Sequence, residues 1–268
     1  MDSGPRRAAV LGSPIAHSRS PQLHLAAYRA LGLNRWTYHR IECTAEQLPT
    51  VVAGFGPEWV GVSVTMPGKF AALRIADERT PRARLVGSAN TLVHTADGWR
   101  ADNTDVDGVA GALGSVADAA IVIGSGGTAR AAVVALARLG VSSVTVVARD
   151  RGKAAPLVEL GSEVGIEAQW LDFGSPSLPD EVAGAGAVVS TIPADAAAAY
   201  VATFARARLL LDAIYDPWPT PLAAAVTAAG GTVIGGLELL LHQAFAQVEL
   251  FTGQPAPKAA MRAALGSP

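Results

Sequence analysis

The stretch IVIGSGGTARAAVVALARLG, residues 121–140, restricts this chain more than any other. Gly124, Gly126 and Ala129 fill a G-x-G-x-x-A pattern between an apolar run and an amphipathic one. Glycines there allow a tight strand-to-helix turn and let the backbone approach a pyrophosphate, which sits at the positive helix end. The flanks supply the required context: AAIVIG reads as a strand, TARAAVVALARLG as a helix, SSVTVVAR as the next strand and GKAAPLVEL as a helix start. That order separates a dinucleotide-binding turn from an ordinary glycine-rich loop. Apolar runs at 168–172, 186–192, 208–215 and 231–236 extend the sheet. The second half of the chain is therefore expected to be a Rossmann-type domain.

The end of the next strand discriminates the two nicotinamide cofactors. An acidic residue there binds a ribose 2′-hydroxyl, and a basic one accommodates a 2′-phosphate. The sequence reads VVARDRGK, with Arg149 first and Asp150, Arg151 and Lys153 after it. Three cations around one carboxylate favour NADP, with Arg149 as the phosphate clamp. Asp150 keeps NAD as the alternative, and the plain reading of Arg149 is a solvated loop arginine.

Upstream, 8–12 reads as a strand and 20–33 as a helix with Pro21 in its first turn and Gly32 closing it. Strands follow at 36–43 and 59–65, with a short helix around residues 45–56 that breaks at Pro49. TLVH, a turn at Asp97-Gly98 and WRA form a hairpin. Alternating β and α elements imply a largely parallel sheet. Two α/β lobes are expected, 1–105 and 106–236, with the region 237–268 returning to complete the first. Its helix, 237–253, places Leu237, Leu240, Leu241, Ala244, Val248 and Phe251 on one face.

Bulk properties bound the function. Of 268 residues, 50% are hydrophobic and 16% charged, and the net charge is −2, which does not suggest nucleic acid or an anionic membrane as the main partner. One cysteine, Cys43, excludes an internal disulfide framework. The N-terminus shows no signal-peptide pattern and no run of eighteen apolar residues exists, so a cytoplasmic location is expected.

GVSVTMPGKF, 61–70, places a lysine just beyond a strand, in a chain with three lysines and eighteen arginines. Arginine stays protonated, whereas an ammonium in a partly dry site can give up its proton. Lys69 is thus a candidate for proton transfer, against the plain reading of a surface lysine in a loop. Other polar groups cluster at predicted strand ends, where open α/β sheets place their ligands: Ser18 and Ser20, Ser63 and Thr65, then Asn90, Asn103, Thr104 and Asp105. Such groups suit a small polyhydroxylated or carboxylated substrate. The plainer alternatives are an N-cap for Ser18 or Ser20 and turn roles for the asparagines. His17 and His24 lack metal-ligand spacing and read as structural.

VLGSPIAHSRSPQLH, SVTMPGK, GSANT, ADNTD, GSGGTAR, DAIYDPWPTPL and GLELLLHQAF, in this order from residue 10 to about 253, resemble the shikimate dehydrogenase family. The resemblance implies NADPH-dependent reduction of 3-dehydroshikimate to shikimate, with Lys69 and Asp105 as the catalytic pair. It implies Ser18 and Ser20 at the substrate carboxylate. Ser63, Thr65, Asn90, Tyr215 and Gln243 then fall around the rest of the ring. For the cofactor it implies Gly124, Ser125, Gly126, Gly127, Thr128 and Ala129 at the pyrophosphate. Arg149 and Lys153 would meet the 2′-phosphate, Gly235 would lie near the nicotinamide, and Thr191 is a further cofactor-binding residue. No metal is implied, and the assembly is expected to be a monomer or homodimer. Ser63 stands where the family usually has asparagine, Leu25 replaces a frequent asparagine, and Ala148 and Asp150 replace the usual neighbours of Arg149. A quinate/shikimate dehydrogenase and a non-catalytic cofactor-binding paralogue are the competing readings.

Overall fold

The computed structural model describes residues 4–266. The ends of the expected first lobe, at residues 1–3 and 267–268, and the start of the N-terminal stretch read for a signal peptide, lie outside them. The chain divides into two compact units, Met1–Thr104 with Leu240–Pro268, and Asp105–Leu239.

The first unit begins with β1 (Arg6–Gly12), α1 (Ser20–Ala30), β2 (Trp36–Glu42), α2 (Leu48–Ala53) and β3 (Trp59–Val64). It continues through α3 (Lys69–Ile75), β4 (Glu78–Arg79), α4 (Pro81–Val86), β5 (Thr91–Thr95) and β6 (Gly98–Asp102). The strands lie in the order β2-β1-β3-β5-β6-β4. β1 pairs in parallel with β2 and β3, and β4 with β6, while the β5–β6 hairpin runs antiparallel within itself and against β3.

Three local expectations change. Pro49 sits in the first turn of α2 and starts that helix instead of breaking it, because a proline costs nothing where its missing N–H would have no helical partner. The hairpin loop is Ala96-Asp97, one residue earlier than expected. Gly98 opens β6 with φ +111, and Asp77 Oδ2 accepts from the next amide, Trp99, at 2.8 Å. Lys69 is the first residue of α3, not part of a surface loop.

The second unit contains α5 (Asp105–Leu113), β7 (Ala119–Ile123), α6 (Gly127–Arg138), β8 (Ser143–Val147), α7 (Arg151–Glu163) and β9 (Glu167–Leu171). Next come α8 (Leu178–Gly184), β10 (Ala187–Ser190), α9 (Ala194–Ala198), α10 (Val201–Phe204), β11 (Leu209–Asp212), α11 (Pro221–Ala228) and β12 (Thr232–Ile234). All six strands are parallel, in the order β12-β11-β10-β7-β8-β9, the doubly wound arrangement whose ligand crevice opens beside the first strand. Ile121, Ile123, Val188 and Leu210 from its central strands pack with Leu178, Val182, Leu222 and Val226 from the helices above them.

α12 (Gly236–Thr252) starts in the second unit and from Leu240 belongs to the first, followed by α13 (Lys258–Ala264). Leu241, Ala244, Phe245 and Val248 of α12 bury against Leu23 and Ala27 of α1 and Met261 of α13. Burying side chains of this size contributes about 1.5–3 kcal/mol each for the larger ones, which is what holds the late helix against α1 of the first unit. None of the helices among the described residues is long and apolar enough to cross a membrane.

Candidate active site

Two loops at the carboxyl ends of β1 and β3 are braced against each other. Ser13 N donates to Met66 O at 3.0 Å and Thr65 N to Leu11 O at 2.9 Å. Only glycine fits at position 12: a Cβ there would strike Thr65 Cγ2 and lie 2.9 Å from Met66 O. The first loop carries Ser18 and Ser20, both buried. Neither serine caps α1. The N-cap position is Arg19, no side chain caps the helix, and Ser18 Oγ accepts from Ser20 N at 3.4 Å. Exposed Arg40 donates from Nε and Nη2 to Ser18 O at 2.8 and 2.5 Å, a cation beside the serine pair that the sequence reading missed.

Ser63, on β3, faces the same interior. Its Oγ lies 2.6 Å from Tyr38 Oη and donates to Gln247 Oε1 at 2.7 Å, and the Tyr38 hydroxyl also hydrogen-bonds Ser20. Tyr38 stacks on His24 with ring centroids 4.1 Å apart. Burial pushes the His24 imidazole down to about 3, against the opposing pull of its Gln247 bond, so the ring is neutral at physiological pH. Its Nε2 then donates to Gln247 Oε1 at 3.3 Å, leaving Nδ1 with a lone pair and no partner. Burial also pushes the Tyr38 phenol upward, opposed by the Ser63 and Ser20 bonds, and keeps it protonated.

Lys69 is half-buried at the start of α3, and its carbonyl accepts from Ala89 N at 2.9 Å, which ties it to the Ser88–Thr91 segment. Asn90 there is buried. Its Oδ1 accepts from Thr104 N at 2.7 Å, and its Nδ2 donates to Thr104 Oγ1 at 2.9 Å and Gln243 Oε1 at 3.2 Å. Gln243 Nε2 donates to Leu240 O within α12. The first unit therefore brings together Ser20, Ser63, Asn90 and Gln243 in one buried network, with half-buried Thr65 and Lys69 on adjoining chain.

Asp102 fixes the strand end that delivers Asn103, Thr104 and Asp105. It accepts from Arg82 Nε at 2.9 Å and Nη2 at 2.7 Å, from Thr80 Oγ1 at 2.8 Å and from Asn103 N at 2.7 Å. Burial alone would raise this carboxyl, but the Arg82 bonds and charge, with Thr80 and Asn103, outweigh it and hold it below the ordinary carboxylate value. Its stabilising contribution is complete above the ordinary value and is lost as pH falls through the lowered one. Asp102→Asn should cost about 3 kcal/mol near neutral pH, the low end for a broken buried pair, because the Arg82 side chain is 19% exposed. Thermal melts of both proteins from pH 7 downward should converge toward low pH. A gap that persists unchanged in acid would assign the loss to packing alone.

In the second unit Asp105 is buried at the head of α5, and Tyr215 is half-buried in the segment after β11. Asp212 holds that segment, accepting from Thr220 Oγ1 at 2.6 Å and Ile214 N at 3.2 Å; burial raises its carboxyl in spite of both bonds. Gly235 lies just before α12, where a Cβ would meet the Trp218 ring at 3.0 Å.

The glycine turn has the geometry its sequence implies. Gly124 has φ +115, and a Cβ on it would strike Thr191 Oγ1, which donates to Ile123 O at 2.8 Å. Gly126 occupies the N-cap of α6 with no side-chain cap, and a Cβ there would meet nothing within 4 Å. An uncapped helix end with open space above a glycine is a fitting seat for a pyrophosphate. Gly127 and Thr128 begin the helix and Ala129 is packed beneath it. Beside the turn lies a cavity of about 260 Å³ lined by Gly124, Ser125, Arg149, Ile192, Phe173 and Tyr200, of a size and character suited to part of a nucleotide. Asp150 is not turned to that use: it caps α7, accepting from Gly152 N at 2.8 Å and Lys153 N at 3.2 Å. The acidic residue that kept NAD in view therefore has a structural occupation, while exposed Arg149 lines the cavity and exposed Lys153 stands in the first turn of α7.

The family model for the shikimate dehydrogenase substrate binding domain matches residues 10–92, and that for the shikimate 5'-dehydrogenase C-terminal domain matches residues 236–265. The shikimate dehydrogenase (NADP(+)) of Microcystis aeruginosa is 34% identical over 271 residues, covering 96% of this chain and 94% of its own. The chain belongs to the shikimate dehydrogenase family. Among solved structures of this family, that of the Mycobacterium tuberculosis shikimate dehydrogenase is 70% identical, covers 97% of this chain and 99% of its own, and superposes with a TM-score of 0.94. The Thermus thermophilus shikimate 5-dehydrogenase, solved with NADP(H) and shikimate, is 29% identical over 97% of this chain and 98% of its own, with a TM-score of 0.80. Within this shikimate dehydrogenase fold, Tyr38, Arg40 and Gln247 escaped the sequence reading. Gln247 alone left a signal: it follows Gln243 by four residues, so two amides share one face of α12.

Proposed function

We propose that this chain catalyses the reversible NADPH-dependent reduction of 3-dehydroshikimate to shikimate, a step of aromatic biosynthesis. The observation that carries the reading is the buried network of Ser20, Ser63, Asn90 and Gln243 next to Lys69, in a chain that matches this family along nearly its whole length. Hydroxyls and amides of this kind can hold a carboxylate and ring hydroxyls. Ser18 and Ser20 take the carboxylate in this reading. Ser63, Thr65, Asn90, Tyr215 and Gln243 serve the remainder of the substrate.

Bound NADPH supplies the hydride to the ketone carbon. Lys69 gives its proton to the carbonyl oxygen, where negative charge develops, and in the reverse direction takes the proton of the ring hydroxyl. Asp105 is the carboxylate proposed to act with it. Gly124, Ser125, Gly126, Gly127, Thr128 and Ala129 receive the pyrophosphate at the head of α6, with Thr191 beside the turn and Gly235 toward the nicotinamide. Arg149 and Lys153 receive the 2′-phosphate. The retention of both Lys69 and Asp105 argues against a non-catalytic paralogue.

The cofactor assignment is tested by initial rates of shikimate oxidation with NADP⁺ and with NAD⁺, for the wild type and Arg149→Ala. A charge-assisted contact is worth about 1.5–3 kcal/mol, so the variant should raise the KM for NADP⁺ roughly 10- to 100-fold. The KM for NAD⁺ should stay within about twofold. Equal changes for both cofactors would show that Arg149 does not read the 2′-phosphate.

A further inference from the structure

Gln247 is fully buried on α12, far in sequence from every strand it touches, and it makes four side-chain hydrogen bonds. Its Nε2 donates to Asn90 O at 3.2 Å and to Thr91 Oγ1 at 2.9 Å; its Oε1 accepts from Ser63 Oγ at 2.7 Å and from His24 Nε2 at 3.3 Å. That is the full capacity of the amide. The bonds also have a forced direction. Asn90 O is a backbone acceptor, so it fixes which end of the Gln247 amide faces the Ser88–Thr91 segment. The oxygen must then face Ser63. Ser63 spends its single proton on Gln247, so at 2.6 Å it accepts from the Tyr38 hydroxyl. Tyr38 in turn has only lone pairs left for Ser20, with which it is hydrogen-bonded. On the other side, Thr91 Oγ1 receives from Gln247 and passes its own proton to Asn90 Oδ1 at 2.9 Å. One side chain thus joins β3 to β5 through the residues expected to hold the substrate.

We propose that Gln247 is a positioning residue for the reaction, fixing Ser63 and Asn90, and through Tyr38 the Ser20 hydroxyl, in the orientation that receives the substrate. The inference rests on the activity proposed above. Gln247 itself lies behind these residues and acts through them; the clue is that two of its four partners, Ser63 and Asn90, are residues proposed for the pocket.

The test is steady-state kinetics of Gln247→Met, which keeps the volume and apolar packing of the site but removes all four bonds. The expected result is a KM for shikimate raised about tenfold, with kcat within about threefold and the KM for NADP⁺ unchanged. A double variant with Asn90→Ala should be no more than about twofold worse than Asn90→Ala alone, because the two residues act as one unit. Thr91→Val, which removes a single relay hydroxyl without changing shape, should raise the KM for shikimate about threefold and stands in if Gln247→Met does not fold. A lowered melting temperature with the KM for shikimate unmoved, or fully multiplicative effects in the double variant, would overturn the proposal and leave Gln247 a core residue. Absence of shikimate turnover in the wild type would instead remove the activity on which it rests.

Discussion

Lys69→Ala should lower kcat for shikimate oxidation by roughly 10²–10⁴-fold, the range expected for losing a positioned acid–base group, while the KM for shikimate changes no more than a few-fold. The physical basis is the difference between holding a ring and moving its proton. Ser18, Ser20, Asn90 and Gln243 remain in the variant, so binding survives; no other residue proposed for the substrate supplies a cation able to give up a proton. Lys69→Arg separates charge from proton transfer. Arginine keeps the positive charge but does not release its proton at working pH, so this variant should stay close to the alanine variant in kcat. Steady-state kinetics with saturating NADP⁺ decides the matter. A large rise in KM at near-normal kcat would make Lys69 a binding residue and return the chemistry to another group.

Gly124→Ala should damage both stability and cofactor binding, and Gly126→Ala only the second. At Gly124 an alanine meets φ +115, unfavourable for any residue with a Cβ, and its methyl runs into Thr191 Oγ1, which must abandon Ile123 O to escape. Strain of about 1–3 kcal/mol and a lost hydrogen bond of about 1 kcal/mol add to roughly 2–4 kcal/mol. At Gly126 the φ of −85 is ordinary and the space above is open, so the fold should tolerate the methyl within about 0.5 kcal/mol. That methyl would occupy the place a pyrophosphate needs, and NADPH affinity should fall at least tenfold. Thermal denaturation and NADPH fluorescence titration of the two variants side by side provide the check. If Gly126→Ala bound NADPH normally, the head of α6 would not be the phosphate seat.

The division of the chain into strands and helices was readable because the two kinds of periodicity are local. Each predicted strand in the second half is a short apolar run bounded by turn residues, and each appears, from AQWLD in β9 to GTVIGG in β12. What escaped the reading is what depends on distant partners. Tyr38 and Gln247 are single polar residues on elements that otherwise look like core, and their meaning appears only when Ser63 comes to lie beside both. Asp150 shows the opposite case. It looks like a ribose carboxylate when the strand before it is considered, yet an aspartate directly before a helix start is equally a cap, and the backbone of Gly152 and Lys153 claims it. Pro49 and the Ala96-Asp97 loop were misjudged by a residue or a role because several placements of one turn share the same composition.

The measurement that tests the central claim most directly is NADPH consumption by the purified chain with 3-dehydroshikimate, run beside 3-dehydroquinate. The proposed activity predicts rapid NADPH oxidation with the first ketone and at least tenfold lower kcat/KM with the second. Comparable rates with both would make it a dual-specificity enzyme, and no consumption with either, in a protein that binds NADPH, would contradict the assignment of a catalytic role.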